Sequence, residues 1–129
     1  MRIKLYLSII LVFGICSCSL KEEFGNKALM SEIQEVEWNN LISNPVNYHN
    51  DTILIRGKYK TYFENSTIIN QDSLGIWIQP ADWAEIEFRE YENLINKNIL
   101  VIGQFNSVDK GHLSQHLGTI TEIYYLKKE

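Results

Sequence analysis

The chain has 129 residues, room for one modest hydrophobic core rather than two. Hydrophobic residues at 45% and charged residues at 22% exclude wholesale disorder and a polytopic membrane protein. A formal net charge of −4 excludes the basic excess that nucleic-acid phosphates reward, so nucleic acid is not an expected partner.

The N-terminal stretch MRIKLYLSIILVFGICSCSL sets Arg2 and Lys4 ahead of an apolar run from Leu5 to Ile15, then ends in small residues and cysteine. This order predicts a secretory signal, and the run is too short to span a bilayer as a helix. Ile15-Cys16-Ser17-Cys18 resembles the bacterial lipobox. Small Ser17 stands before Cys18, whereas bulky Ile15 stands before Cys16, so cleavage is expected at Cys18. The resemblance implies a signal peptide over 1–17, a diacylglyceryl group on the Cys18 thiol and an acyl chain such as palmitate on the new amino group. Several chains anchor stably, each buried methylene adding about 0.8 kcal/mol. The processed domain then holds no cysteine for a disulfide, a metal or a free thiol. Without Arg2 and Lys4, 12 basic residues become 10 against 16 acidic, a net of −6.

Residues 18–35 are polar and show no clear period, which predicts a lipidated cysteine followed by a flexible tether. Lys21-Glu22-Glu23 in this segment resembles the lysine-plus-acidic surface-export signal of some Gram-negative lineages, and reads equally well as a solvated linker. The expected location is the cell envelope, at the outer membrane, with the periplasmic or surface face open.

A domain is predicted over 36–129. It begins with a short helix carrying Trp38, Leu41 and Ile42 and closed by Asn44-Pro45, since the residue before proline avoids the helical region. The first strand runs over 53–63. Ile53, Ile55, Tyr59 and Phe63 share a core-facing parity, and Arg56, Lys58 and Lys60 face solvent. Ile99-Leu100-Val101-Ile102-Gly103-Gln104-Phe105 nearly repeats Ile53-Leu54-Ile55-Arg56-Gly57-Lys58-Tyr59. A glycine inside a strand permits a bulge or a bend, so Gly57 and Gly103 predict two long strands bent at their middles. Between them fall a short strand with Ile68 and Ile69, and a third strand with Leu74, Ile76 and Ile78 on one parity and Trp77 on the other, stopped by Pro80. A helix over 81–96 follows, capped by Asp82, with Ala84, Phe88, Tyr91 and Ile95 on its buried side. GTITEIYYL forms the last strand. The expected fold is all-β with short helices: a five-stranded OB-fold-like Greek-key barrel with the helix between strands three and four and a short N-terminal helix.

With these segments placed, the chain resembles a family of small bacterial OB-fold-like lipoproteins and secreted domains of uncharacterised function. The resemblance rests on Asn44-Pro45, Tyr48, the apolar run through Gly57, Ile76-Trp77, Val101, Gly103, Lys110-Gly111-His112-Leu113 and Gly118-Thr119-Ile120, and covers about residues 36 to 126. Ser114 stands where the family pattern has glycine. The resemblance implies the fold and leaves mechanism open.

GHLSQHLG, residues 111–118, raises the possibility of a metal-dependent enzyme using His112 and His116. On an extended strand, however, histidines four apart lie about 13 Å from each other, too far for one ion. Leu113 also stands where a zincin has glutamate. The stretch is therefore read as a loop-to-strand corner bent at Gly111 and Gly118, with His112 bonded to a loop carbonyl. No nucleophile elbow, phosphate loop or paired buried carboxylate occurs, so no catalytic residue, metal or other cofactor is assigned. OB-folds bind along strands two and three and the loops joining strands one to two and four to five, which nominates Tyr62, Phe63, Trp77, Lys110 and His112. Two functions follow: a membrane-anchored, non-catalytic binding module for a glycan, peptide or small molecule, or an assembly lipoprotein docking on an envelope protein. Trp77 packed under the neighbouring helix is the alternative use of that ring.

Overall fold

A computed structural model describes residues 18–71 and 74–129. The signal peptide expected over 1–17 lies outside the described residues. Six strands form one sheet: β1 (Glu23–Gly25), β2 (Thr52–Tyr62), β3 (Asn65–Ile69), β4 (Gly75–Trp77), β5 (Asn98–Asn106) and β6 (Thr119–Lys128). Two short helices, α1 (Trp38–Ser43) and α2 (Phe88–Glu92), and four 3-10 turns complete the described chain. The molecule is mostly β, as its strand-period patterns predict.

Long β2 meets two partners. Residues 52–58 pair antiparallel with β5, and residues 58–62 pair antiparallel with β3. The change of partner falls beside Gly57, where a Cβ would stand 2.5 Å from the Ile69 carbonyl oxygen and 3.1 Å from the Trp38 ring. Close approach of neighbouring backbone and ring thus leaves room only for glycine at this position. β3 continues into β4, β4 touches β6 through a parallel Trp77–Thr119 contact, and β6 runs antiparallel to β5. The β5–β6 register slips at Ile102/Gly103 and Gln104/Phe105, which places Gly103 at a bulge.

The core gathers Ile53, Ile55, Tyr59, Ile68, Ile76, Ile78, Ile99, Val101, Phe105 and Leu126, with Leu41 of α1 inserted from one side. Buried Tyr59 bonds through its hydroxyl to Ser66 Oγ at 2.7 Å, and Ser66 in turn donates to the Ile78 carbonyl. Trp38 donates its indole N–H to the Arg56 carbonyl at 2.6 Å, so α1 is both plugged and tied into the fold.

Three expectations are corrected. The segment 18–35 is not a flexible tether throughout. From Glu23 it joins the sheet: β1 pairs with the end of β6, Phe24 is buried in the core, and Leu29, Met30 and Ile33 cover a second cluster of Leu54, Leu100, Ile102 and Tyr125. Glu22 pairs with Lys128 at 2.7 Å and Glu23 with Lys27 at 3.3 Å, so both acids are ion-paired at the surface. Secondly, the helix expected over 81–96 shrinks to Phe88–Glu92. Pro80–Asp82 is a 3-10 turn, and the helix starts where the Glu90 carboxylate accepts the Glu87 N–H at 3.0 Å. Ile86 and Leu94 are its anchors, whereas Phe88 is 72% exposed. Thirdly, Phe63 shares the parity of the core residues but ends outside the strand, 88% exposed.

Candidate functional site

β2 turns back into β3 through only Phe63 and Glu64, because Tyr62 opposes Asn65. So tight a reversal needs a left-handed backbone near its start, and Phe63 adopts φ of 52°. A residue other than glycine costs about 1–2 kcal/mol there, and the Phe63 ring recovers nothing from the core. Beside it Tyr62 is 72% exposed, the two rings meeting edge to face with centroids 4.4 Å apart. Two strongly apolar rings are thus held in water by a strained turn.

The facing wall is the loop between β5 and β6, fixed by its own polar groups. The Asn106 carboxamide oxygen accepts from the N–H groups of Val108 and Asp109, and the Asp109 carboxylate accepts from Gly111 N–H. Thr119 Oγ1 donates to the Asp109 carbonyl. Lys110 donates its ammonium to the Leu117 carbonyl at 2.8 Å, which commits this cation to the loop instead of a ligand. Gly111, at φ of 69°, lies directly on Trp77: a Cβ there would stand 2.6 Å from the tryptophan Cβ. The chain then carries Leu113 and Ser114 in left-handed conformations, with Leu113 71% exposed.

Trp77 is half-buried beneath this loop. Its ring stacks with His112 (centroids 6.2 Å apart, planes at 28°) and meets His116 edge-on at 5.3 Å. The histidine that anchors the loop is His116. Its Nδ1–H donates to the Lys110 carbonyl at 3.1 Å, and its Nε2 lies 3.0 Å from Asn65 Oδ1 on β3. His112, expected to hold a carbonyl, turns outward with Nε2 3.5 Å from the Glu64 carboxylate. The pair therefore has a joint structural meaning, since both rings pack on one tryptophan. His49 stands apart, accepting the Ser107 N–H at 3.1 Å.

Between hairpin and loop lies a cleft of about 330 Å³ lined by Tyr62, Phe63, Glu64, His112, Leu113 and Gln115, among others. That volume falls in the range of small-ligand sites. Of the five residues nominated from sequence, Tyr62, Phe63 and His112 line it, Trp77 supports it from beneath, and Lys110 stiffens its wall. Glu64, Asn65, Leu113, Gln115 and His116 were not foreseen; the GHLSQHLG motif pointed to the right loop, but the contacts arise only when β3 is folded against it. Among the described residues no group of three or more His, Cys, Asp or Glu is gathered for a metal ion. The apolar walls can stack on a planar or saccharide face, while Glu64, His112 and Gln115 offer hydrogen-bonding groups at the rim. No protein-family model, no curated protein and no solved structure matches the chain.

Proposed function

We propose that the chain is an envelope lipoprotein, anchored through Cys18, whose β domain is an OB-fold-like barrel that binds a glycan or peptide without catalysing a reaction. The fold reading is supported by the sequence of pairings β2–β3–β4–β6–β5 and back to β2, with β4 and β6 parallel, which is the strand order of a five-stranded Greek-key barrel. In that scheme the Phe63-Glu64 turn and the β5–β6 loop are the two loops through which OB-folds bind.

The observation that carries the functional reading is the exposure of Tyr62, Phe63 and Leu113 around one cleft, with Phe63 and Leu113 on left-handed backbone. Folding requires the left-handed turn but not an exposed aromatic residue on it, and such strain collects at ligand sites. The binding module is preferred to an assembly lipoprotein because Trp38, the ring that would mark a flat docking patch on α1, is hydrogen-bonded and packed on the core. A catalytic reading lacks a nucleophile joined to the His112–Glu64 pair: among the described residues Ser114 makes no hydrogen bond with His112.

The test is a glycan and peptide panel screened against the full protein, followed by titration of hits against Tyr62→Ala/Phe63→Ala. Loss of two stacking rings is expected to cost about 2 kcal/mol, some thirtyfold in Kd, with thermal stability unchanged. Ligands that bind the double variant as tightly as the parent would remove the cleft from the function.

A further inference from the structure

Charge on this acidic chain is not evenly spread. Arg56, Lys58 and Lys60 alternate along the solvent face of β2, about 6.7 Å apart. They line an open groove of about 730 Å³ with Trp38, Asn39 and Asn98, and none of its described lining residues is a carboxylate. Arg56 is neutralised by Glu35 and Glu129, which also hold its guanidinium more strongly protonated, the Glu129 hydrogen bond contributing most. Lys58 and Lys60 have no ion-pair partner among the described residues. By contrast, Glu32, Glu35, Glu37 and Asp51 line a cavity that holds no lysine or arginine.

The cationic groove sits where the N-terminus enters the domain. The Glu22 carbonyl accepts the Lys128 N–H, the next residue's N–H donates to the Asn98 carbonyl, and Asn98 borders the groove. β1, β6, β5 and β2 lie side by side in that order, so three strand spacings, about 15 Å, separate the entering chain from Lys58. Upstream, Cys18 is five residues before Glu23, a reach of no more than about 18 Å. An acyl group on Cys18 therefore brings the groove close to the lipid surface.

We propose that the Lys58–Lys60 groove docks on the anionic phospholipid headgroups of the membrane that holds the anchor, an inference that rests on lipidation at Cys18. A domain with net charge −6 is repelled by an anionic surface in most orientations. Presenting this face is the arrangement that turns repulsion into attraction, so the groove sets the tilt of the anchored domain. The aromatic cleft then lies at the rim of the docked face, because Tyr62 stands four residues, about 13 Å, beyond Lys58 on the same strand.

Acyl labelling of Cys18 tests the anchor separately from the groove. For the groove, full-length protein bearing Cys18→Ser is sedimented with vesicles of phosphatidylcholine alone or with added phosphatidylglycerol. Binding is expected to need phosphatidylglycerol, to fall with salt, and to drop about 25-fold in Lys58→Gln/Lys60→Gln, about fivefold per lysine. In the acylated protein Lys58 and Lys60 should be shielded from acetylation on phosphatidylglycerol vesicles and open on phosphatidylcholine. Equal binding to both vesicles would overturn the proposal. So would binding that survives the lysine changes and is lost in Tyr62→Ser/Phe63→Ser, which would assign the membrane contact to the aromatic turn.

Discussion

Ser114 shows how a single position records a competition between backbone and side chain. Its φ of 54° follows Leu113 at 56°, so two successive residues with side chains occupy the region glycine tolerates best. Removing the Ser114 side chain relieves that strain, though the freer unfolded chain offsets part of the gain. Ser114→Gly is expected to stabilise the protein by about 0.5–1 kcal/mol, seen as a raised midpoint in urea unfolding. At this scale the site was partly legible. Tyr62, Phe63 and His112 are nominated by the loops of the expected barrel, and the structure places all three at one cleft. His116 does not, because its partner Asn65 is 51 residues away, and only the folded register decides which of two histidines faces it.

Among the elements, β1 carries weight out of proportion to its three residues. Phe24 fills the core from the sheet edge, and Phe24→Ala is expected to cost about 3–5 kcal/mol in urea unfolding, a large share of an ordinary domain's stability. The same clamp predicts an alkaline transition. Burial, aided by a hydrogen bond to Glu23, pushes the Tyr125 hydroxyl up to about 12, against an ordinary value near 10. The folded state thus holds this proton more tightly than the unfolded chain does. Its contribution is complete below about pH 10 and is lost as pH rises from there to about 12. Tyrosinate absorbance and circular dichroism followed together should show the tertiary signal falling in that window, with loosening of the β1–β6 contact. The signal for β1 was faint in the sequence. The unbroken apolar runs Ile53–Ile55 and Ile99–Ile102 mark strands covered on both faces, and the second cover is the segment 27–33, whose own composition reads as linker. Helix α2 is shorter than its pattern for a related reason: the spacing from Ala84 to Ile95 suits a helix, but Pro80 and the Glu87–Glu90 cap start it late and it closes at Asn93, the residues beyond forming turns that end at Asn96 with φ of 62°.

For the whole molecule the decisive experiment is at residue 18. Cys18 is exposed and unpaired, five residues before the sheet begins. Cys18→Ser is expected to abolish acyl labelling and to leave only membrane association that high salt removes. A labelled, membrane-bound Cys18→Ser protein would end the lipoprotein reading. The succession of strands from β2 to β6 was legible because the strands are apolar, separated by turn residues, and interrupted once by a helix. What lay outside the pattern was the participation of residues before 36, since pairing at a sheet edge depends on backbone groups that composition does not register.

That edge pairing joins Glu22 to Lys128 across 106 residues, so the first strand of the sheet waits for the last. Contacts this distant in sequence form late and make folding slow. During synthesis the N-terminal segment leaves the ribosome long before its partner exists, and Phe24 has no finished core to enter. The chain consequently stays open until its ten-residue strand β6 has emerged, which defers completion of the sheet to the end of synthesis.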